Sequence, residues 1–171
     1  FYQHPAFIQA QAAIIQPYLH PGAFLLFSYH GLPEQQLLSA GCPAICKGAC
    51  PPNRYASRCY RAQCFATTAS LAAALSLGEG TYDTVFQSRM GLAPWTQPYL
   101  PVMLKKLAKK GVKHLIIACP SFVTDCLETL EEIGDRTRKK WLSLGGSDFT
   151  LVPCLNASKP WISALTRLIM P

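Results

Sequence analysis

The chain alternates short apolar runs with longer segments of helical periodicity. Four runs predict buried strands, namely the apolar start of "FLLFSYHGLP" together with "YDTVFQS", "VKHLIIACP" and "FTLVPCL". Helical spacing predicts helices over residues 5–19, 62–78, 97–111, 125–146 and 158–169. Helices that alternate with strands typically build an open parallel sheet with helices on both faces. We therefore expect an α/β domain with about four parallel strands.

Two parts of the pattern carry specific expectations. Residues 34–60 show no clear periodicity, which predicts an insert within a domain that otherwise covers residues 1–171. Residues 125–146 predict one long helix with a buried apolar stripe. The residues spaced for this burial are Leu127, Leu130, Ile133, Trp141 and Leu144.

Length and composition fit one soluble domain. Half of the residues are hydrophobic, 15% are charged, and no apolar run approaches the roughly 20 residues that a membrane span needs. The first residues lack the features of a secretory signal and start inside a helix without Met. We therefore expect a cytoplasmic protein whose sequence here is a piece of something longer.

The net charge of +7 favours anionic partners. The basic residues lie scattered or at helix ends, as in "KKLAKK" and "RTRKK", and no basic motif interleaved with aromatic residues is present. We therefore expect no nucleic-acid partner. A basic surface equally suits peripheral contact with an anionic membrane or a substrate that carries carboxylates.

His30 follows a predicted strand directly, before Gly31 and Pro33, which end regular structure. In an open α/β sheet, ligands bind in the crevice beyond the carboxyl ends of the strands. A parallel sheet also brings Ser88 and the residues after Cys119 to this edge. His30 is therefore a candidate base or metal ligand, with a turn-capping histidine as the alternative.

Acidic and aromatic residues are predicted near the same edge. Asp125, Glu128 and Glu131 lie at the start of a predicted helix, where acids commonly cap the helix and oppose its dipole. A glutamate that faces a histidine across an open cleft can instead bind a divalent ion or accept protons. Trp95 and Phe122 are suited to form walls for a flat ligand, or to pack in the core.

Five of the eight cysteines fall in or just after the predicted insert: Cys42, Cys46, Cys50, Cys59 and Cys64. Thiolates at short spacing, with Gly and Pro between them, suit zinc or an iron-sulfur cluster. No acidic residue occurs between Glu34 and Glu79, whereas four basic residues do, which favours an anionic thiolate centre. The spacing does not separate zinc from iron and sulfide, and disulfides formed in air are a third interpretation.

The succession "LLFSYHGLP", "VFQSRMGLAPWTQPYL", "GVKHLIIACPSFVTDCLETLEEI" and "VPCLNASKP" resembles the C-terminal half of ferrochelatase over nearly the whole chain. This family inserts ferrous iron into a porphyrin held between two Rossmann-like domains. The resemblance implies that this chain supplies the second domain and that its partner, the N-terminal domain, is absent from it. It also implies that His30 is the active-site histidine and Glu128 its acidic partner across the cleft. Asp125, Phe122 and Trp95 are then expected to line the porphyrin site.

The resemblance also bears on the cysteines. Cys126 stands where some relatives have a histidine, which alters one proposed proton relay. Family members usually lack the insert, but certain bacterial ones hold a [2Fe-2S] cluster with cysteines inside the chain. Cys64 is the alternate ligand here, because its position resembles a cysteine of relatives without an insert. The expected cluster ligands are Cys42, Cys46, Cys50 and Cys59.

Three functions are compatible with these observations. The leading one is ferrochelatase, with Fe²⁺ and either protoporphyrin or coproporphyrin as substrates. A cobalt chelatase of the cobalamin or sirohaem routes is a second, although the aromatic surroundings of Trp95 and Phe122 favour a porphyrin with few carboxylates. A non-catalytic iron-sulfur or redox-sensing module is a third. The sequence leaves the oligomeric state open.

Overall fold

A computed structural model of the chain describes residues 1–39, 41, 44–46 and 57–170. Its strands are β1 (Ala23–His30), β2 (Tyr82–Gln87), β3 (His114–Ala118) and β4 (Asp148–Leu151). They form a four-stranded sheet in the order β2-β1-β3-β4, and every neighbouring pair runs parallel. The predicted α/β fold with an open parallel sheet is therefore confirmed.

Helices precede, connect and follow the strands. Their bounds are α1 (Pro5–Ile15, followed by a 3₁₀ turn at Gln16–Tyr18), α2 (Glu34–Ser39), α3 (Tyr60–Ala74), α4 (Leu100–Lys109), α5 (Leu127–Leu130), a π-helical turn (Glu132–Thr137), α6 (Arg138–Ser143) and α7 (Lys159–Ile169). Proline lies in the first turn of α1, α4 and α7, where a missing N–H costs no helical hydrogen bond. Within the described residues, no helix combines the length and the apolar character needed to cross a membrane.

The central strand β1 is buried on both faces of the sheet. Because successive residues of a strand point to opposite faces, Leu25 and Phe27 enter one core while Leu26 enters the other. The first core includes residues of α1, α3 and α7, and the second includes residues of α4 and α6. The helices therefore cover both faces of the sheet, as the continuous apolar run of β1 predicts.

The prediction of one continuous α-helix over residues 125–146 is wrong. The N–H of Arg136 bonds to the carbonyl of Glu131, five residues earlier, at 2.9 Å, which marks the π-helical turn between α5 and α6. This wider turn rotates the residues before it relative to those after it. Ile133 is buried as expected, but Leu127 is 73% exposed and Leu130 is 56% exposed.

The insert begins with a helix that the sequence pattern does not predict. The N–H of Glu34, the first residue of α2, bonds to the carbonyl of Pro94 at 3.0 Å, and Leu37 is buried. These contacts with the remainder of the domain stabilise a helix whose six residues are too few to form alone.

Candidate active site

The end of β1 holds the His30 ring in a defined orientation. Nδ1 of His30 lies 2.6 Å from the carbonyl oxygen of Gly31. A carbonyl can only accept a hydrogen bond, so Nδ1 carries the proton in the neutral ring. Nε2 therefore keeps its lone pair, and it is the nitrogen that can accept a proton or bind a metal.

The peptide groups of His30 are fixed as well. The hydroxyl of Tyr60 donates a hydrogen bond to the carbonyl of His30 at 2.9 Å, and the N–H of His30 lies 3.4 Å from Oγ of Ser121. Tyr60 begins α3 and Ser121 follows β3. Two separate elements therefore brace the strand end that carries the histidine.

Two aromatic rings lie beside His30. The ring centroids of Trp95 and Phe122 lie 6.5 Å and 6.2 Å from the centroid of the imidazole. The Trp95 loop is joined to the loop after His30, because the N–H of Thr96 donates to the carbonyl of Leu32 at 2.8 Å and Oγ1 of Thr96 accepts from the N–H of Leu32 at 3.0 Å. The two rings are thus held at the same strand end as the imidazole.

Glu128 enters the same crevice from α5. It lines a pocket with a cavity volume of ≈ 340 Å³ together with His30; the other lining residues are Ser88, Arg89, Met90, Leu127, Glu132 and Arg136. Hydrogen bonds from the thiol of Cys126 and from its own backbone N–H lower the pKa of the Glu128 carboxyl. Glu128 is therefore an anion at neutral pH beside a histidine with a free lone pair.

Asp125 has a different environment from Glu128. The N-cap of α5 is Cys126 and not Asp125, because the N–H of Cys126 bonds to Oγ1 of Thr129 at 2.9 Å and completes a capping box there. The Asp125 carboxylate instead accepts hydrogen bonds from Nδ2 of Asn156 at 2.6 Å and from the N–H of Cys154 at 3.1 Å. It is absent from the lining of the pocket that holds His30.

A further acid, Glu132, lies in the pocket and was not singled out from the sequence. Its two carboxylate oxygens accept hydrogen bonds from the N–H and the hydroxyl of Ser88. One signal was available, because Glu132 follows Glu128 by four residues and helical residues four apart share a face. The position of Ser88 at this edge of the sheet was predicted from the end of β2.

The cysteine prediction lies only partly within the described residues. Cys42 and Cys50 are outside them; Cys46 is half-buried, and Cys59 and Cys64 are buried. Burial raises the pKa of Cys64 to about 12, which disfavours its thiolate. Across residues 1–39, 41, 44–46 and 57–170, no three side chains of the His, Cys, Asp and Glu type are placed to hold a metal ion.

The chain is similar to known proteins along almost its whole length. A family model described as Ferrochelatase matches residues 1–171. A ferrochelatase of Legionella pneumophila strain Philadelphia 1 is 48% identical over 170 residues, which cover 99% of this chain and 51% of the relative. A ferrochelatase of Coxiella burnetii strain Dugway 5J108-111 is 44% identical over an alignment of 174 residues with its gaps, which includes 98% of this chain and 49% of the relative. The chain spans about half the length of the curated relatives it matches.

Proposed function

The chain belongs to the ferrochelatase family, and from that membership we propose that its protein inserts ferrous iron into a porphyrin during haem synthesis. One observation carries the proposal at the level of the site: His30, whose neutral ring keeps its lone pair on Nε2, and the Glu128 anion line one open pocket. The two matches lend no support to a cobalt chelatase or to a sensing module without catalysis.

His30 and Glu128 together can support both parts of metal insertion, which are the removal of protons from the porphyrin and the entry of the metal ion. Two pyrrole protons leave the porphyrin for each Fe²⁺ that enters, so that charge balances. Nε2 of His30 has the lone pair needed to accept a proton from the macrocycle or to bind the entering ion. The Glu128 carboxylate attracts Fe²⁺ because it is anionic at neutral pH and partly exposed. Trp95 and Phe122, which flank the imidazole, offer apolar surfaces to a flat macrocycle.

We propose that this site works together with the half of the relatives that the chain does not span. The pocket beside His30 is open, and a macrocycle gripped from one side only would remain in contact with water. A second domain that closes over the crevice would complete the porphyrin site. We also place the protein in the cytoplasm, since Cys119 and Cys154 are buried in apolar surroundings, as is typical of reduced proteins.

We further propose a [2Fe-2S] cluster on Cys42, Cys46, Cys50 and Cys59. The donor chemistry fits, because four thiols fall within eighteen residues that contain no carboxylate. Cys59 is buried at the N-terminus of α3, while Cys64 lies inside that helix with a raised pKa. When bound, the cluster would supply an iron-sulfur centre. Protein purified without oxygen should hold about two irons and two sulfides per chain; zinc without acid-labile sulfide would contradict the proposal.

The function is tested with the full-length protein, Fe²⁺, and protoporphyrin or coproporphyrin as separate substrates. Wild-type protein should form haem, and His30→Ala should abolish insertion while leaving the far-ultraviolet circular dichroism unchanged. His114→Ala is the matched control, because His114 begins β3 and so lies at the amino ends of the strands, opposite to the end that carries His30. Failure of the wild type with both porphyrins, or an active His30→Ala variant, would contradict the proposal.

A further inference from the structure

We propose that Gln87 is a positioning residue that sets the place of Glu128 relative to His30. The inference rests on the proposed function, in which those two side chains act on the metal and the porphyrin. Gln87 is the last residue of β2 and is paired with His30 in the register of the sheet. Gln87 therefore lies beside His30 in the sheet, and its side chain forms a hydrogen bond with Glu128.

The backbone of Gln87 fixes the chain just after His30. Its carbonyl oxygen accepts a hydrogen bond from the N–H of Gly31 at 2.9 Å. A Cβ added at Gly31 would lie 2.9 Å from the same oxygen, closer than real Cβ atoms approach. Gly31 also supplies the carbonyl that accepts from Nδ1 of His30. The orientation of the imidazole thus depends on a peptide that is held against β2 at Gln87.

The side chain of Gln87 fixes the turn that carries Glu128. Nε2 of Gln87 donates to the carbonyl oxygen of Glu128 at 2.7 Å, and Oε1 accepts from the hydroxyl of Ser28 at 2.7 Å. The carbonyl of Glu128 can only accept, so the amide nitrogen must face it. The thiol of Cys119 lies 3.8 Å from Oε1 on the same side. Because Gln87 is 2% exposed and Ser28 is fully buried, water cannot replace the bond between them.

Glu128 needs such a support because apolar packing does not hold its helix. α5 has four residues, and Leu127 and Leu130 are largely exposed. The chain continues through Glu131 into the π-helical turn, and Ile133, five residues after Glu128, is the nearest buried apolar side chain of this segment. The Cys126–Thr129 capping box closes the turn on itself, whereas the bond from Gln87 ties it to the sheet. The Asp125–Asn156 and Ser88–Glu132 contacts hold the residues before and after this turn, and the bond from Gln87 is the one made to the peptide of Glu128 itself.

The test compares two variants of Gln87 in the full-length enzyme. Gln87→Glu keeps the shape and the acceptor for Ser28, and with its carboxyl ionised it presents no donor to the Glu128 carbonyl. Gln87→Met is neutral and donates nothing. We expect each to lower kcat about tenfold to a hundredfold, since a displacement of about 1 Å at the reacting groups has this effect. The KM for porphyrin should stay within about twofold, because the buried side chain does not reach the substrate.

Gln11→Glu is the matched control. Gln11 is also a buried glutamine, and its Nε2 donates to the carbonyl of Pro120 at 3.3 Å. A loss of kcat in Gln11→Glu equal to that in Gln87→Glu would show a general effect of losing a buried amide and would overturn the inference. So would a kcat in Gln87→Met within about twofold of wild type.

A crystal structure of full-length Gln87→Met separates this inference from the proposed function. We expect the Glu128 turn to move by about 1 Å or more relative to His30, and an unmoved turn would overturn the inference. If the wild type inserted no iron, the proposed function would fail, and this displacement would still decide whether Gln87 places the turn. The Gln87→Glu structure serves the same purpose if Gln87→Met does not fold.

Discussion

Ser88 binds both carboxylate oxygens of Glu132. Its N–H donates to Oε1 at 2.8 Å and its hydroxyl donates to Oε2 at 2.6 Å. Ser88 adopts a left-handed backbone conformation, with φ of 64°, which aims both donors at one carboxylate. This contact joins the loop after β2 to the π-helical turn at the rim of the pocket.

Two substitutions of Ser88 should separate the contribution of its hydroxyl to stability from the cost of its left-handed backbone conformation. Ser88→Ala loses the hydrogen bond to a charged acceptor, which contributes about 2 kcal/mol to the free energy of unfolding. Ser88→Gly loses the same bond but tolerates the positive φ, so it should be about 1 kcal/mol more stable than Ser88→Ala. Urea unfolding of both variants measures the difference. Equal stability would show that the left-handed conformation costs nothing at this position.

Glu128→Gln should lower iron insertion severely in the full-length protein. The substitution removes the charge that attracts Fe²⁺ and leaves the size of the side chain unchanged. General acid–base catalysis by a placed group typically contributes about a hundredfold or more to the rate. Glu131→Gln is the control, because Glu131 lies in the adjacent turn and is paired with Arg136 at 2.6 Å. Near-normal turnover of Glu128→Gln would leave Glu128 with only a structural role at the start of α5.

Asp125 should contribute to stability in a manner that depends on pH. Burial opposes its ionisation, but hydrogen bonds from Asn156 and from the N–H of Cys154 outweigh burial and lower the pKa of Asp125. The unfolded state therefore takes up the proton first as the pH falls. The contribution of Asp125 to the free energy of unfolding is present above the ordinary aspartate pKa of about 4. It is lost as the pH falls through the lower pKa of the folded state.

The prediction for Asp125 is measured as the urea concentration at the midpoint of unfolding, determined at several pH values from neutral to acidic. Asp125→Asn should lower the midpoint at neutral pH and reduce its decline in acid. The control is Asp135→Asn, because Asp135 forms an exposed ion pair with Lys139 that contributes little. An unchanged acid decline in Asp125→Asn would place the acid sensitivity in other carboxyls.

Serine substitutions should identify the cluster ligands. Serine at Cys42, Cys46, Cys50 or Cys59 should weaken or remove the red-brown colour of anaerobic protein, because a hydroxyl is a harder and poorer ligand for cluster iron. Cys64→Ser should keep the colour, since Cys64 is buried within α3. Loss of colour in Cys64→Ser, with retention in Cys42→Ser, would exchange these two residues in the ligand set.

The 171-residue chain alone should insert no iron into porphyrin. Its His30 pocket is open, so that water would remain around the macrocycle and the metal. Steady-state haem formation, measured by absorbance with the purified chain and then with the full-length protein, tests this directly. Turnover by the chain alone would show that one half of the cleft is sufficient.

Local sequence signals determined the sheet and the position of His30. The apolar run of β1 and the Gly31 and Pro33 that follow it are features of adjacent residues, so they can be read directly from the chain. The nearness of Glu128 to His30 also followed, because the carboxyl ends of parallel strands meet at one edge. It needed only a parallel sheet, and not the packing of any side chain.

Tertiary structure alone decided the contacts that fix the site. Gln87 meets Glu128 across 41 positions of sequence, Ser88 meets Glu132 across 44, and Asp125 meets Asn156 across 31. Each bond depends on the angle at which a loop leaves its strand and on the rotation that the π-helical turn introduces after α5. Periodicity records which face of an element is apolar, but it holds no information on these angles. The sequence therefore placed the histidine and the glutamate at one crevice, whereas packing determined which polar neighbours hold them there.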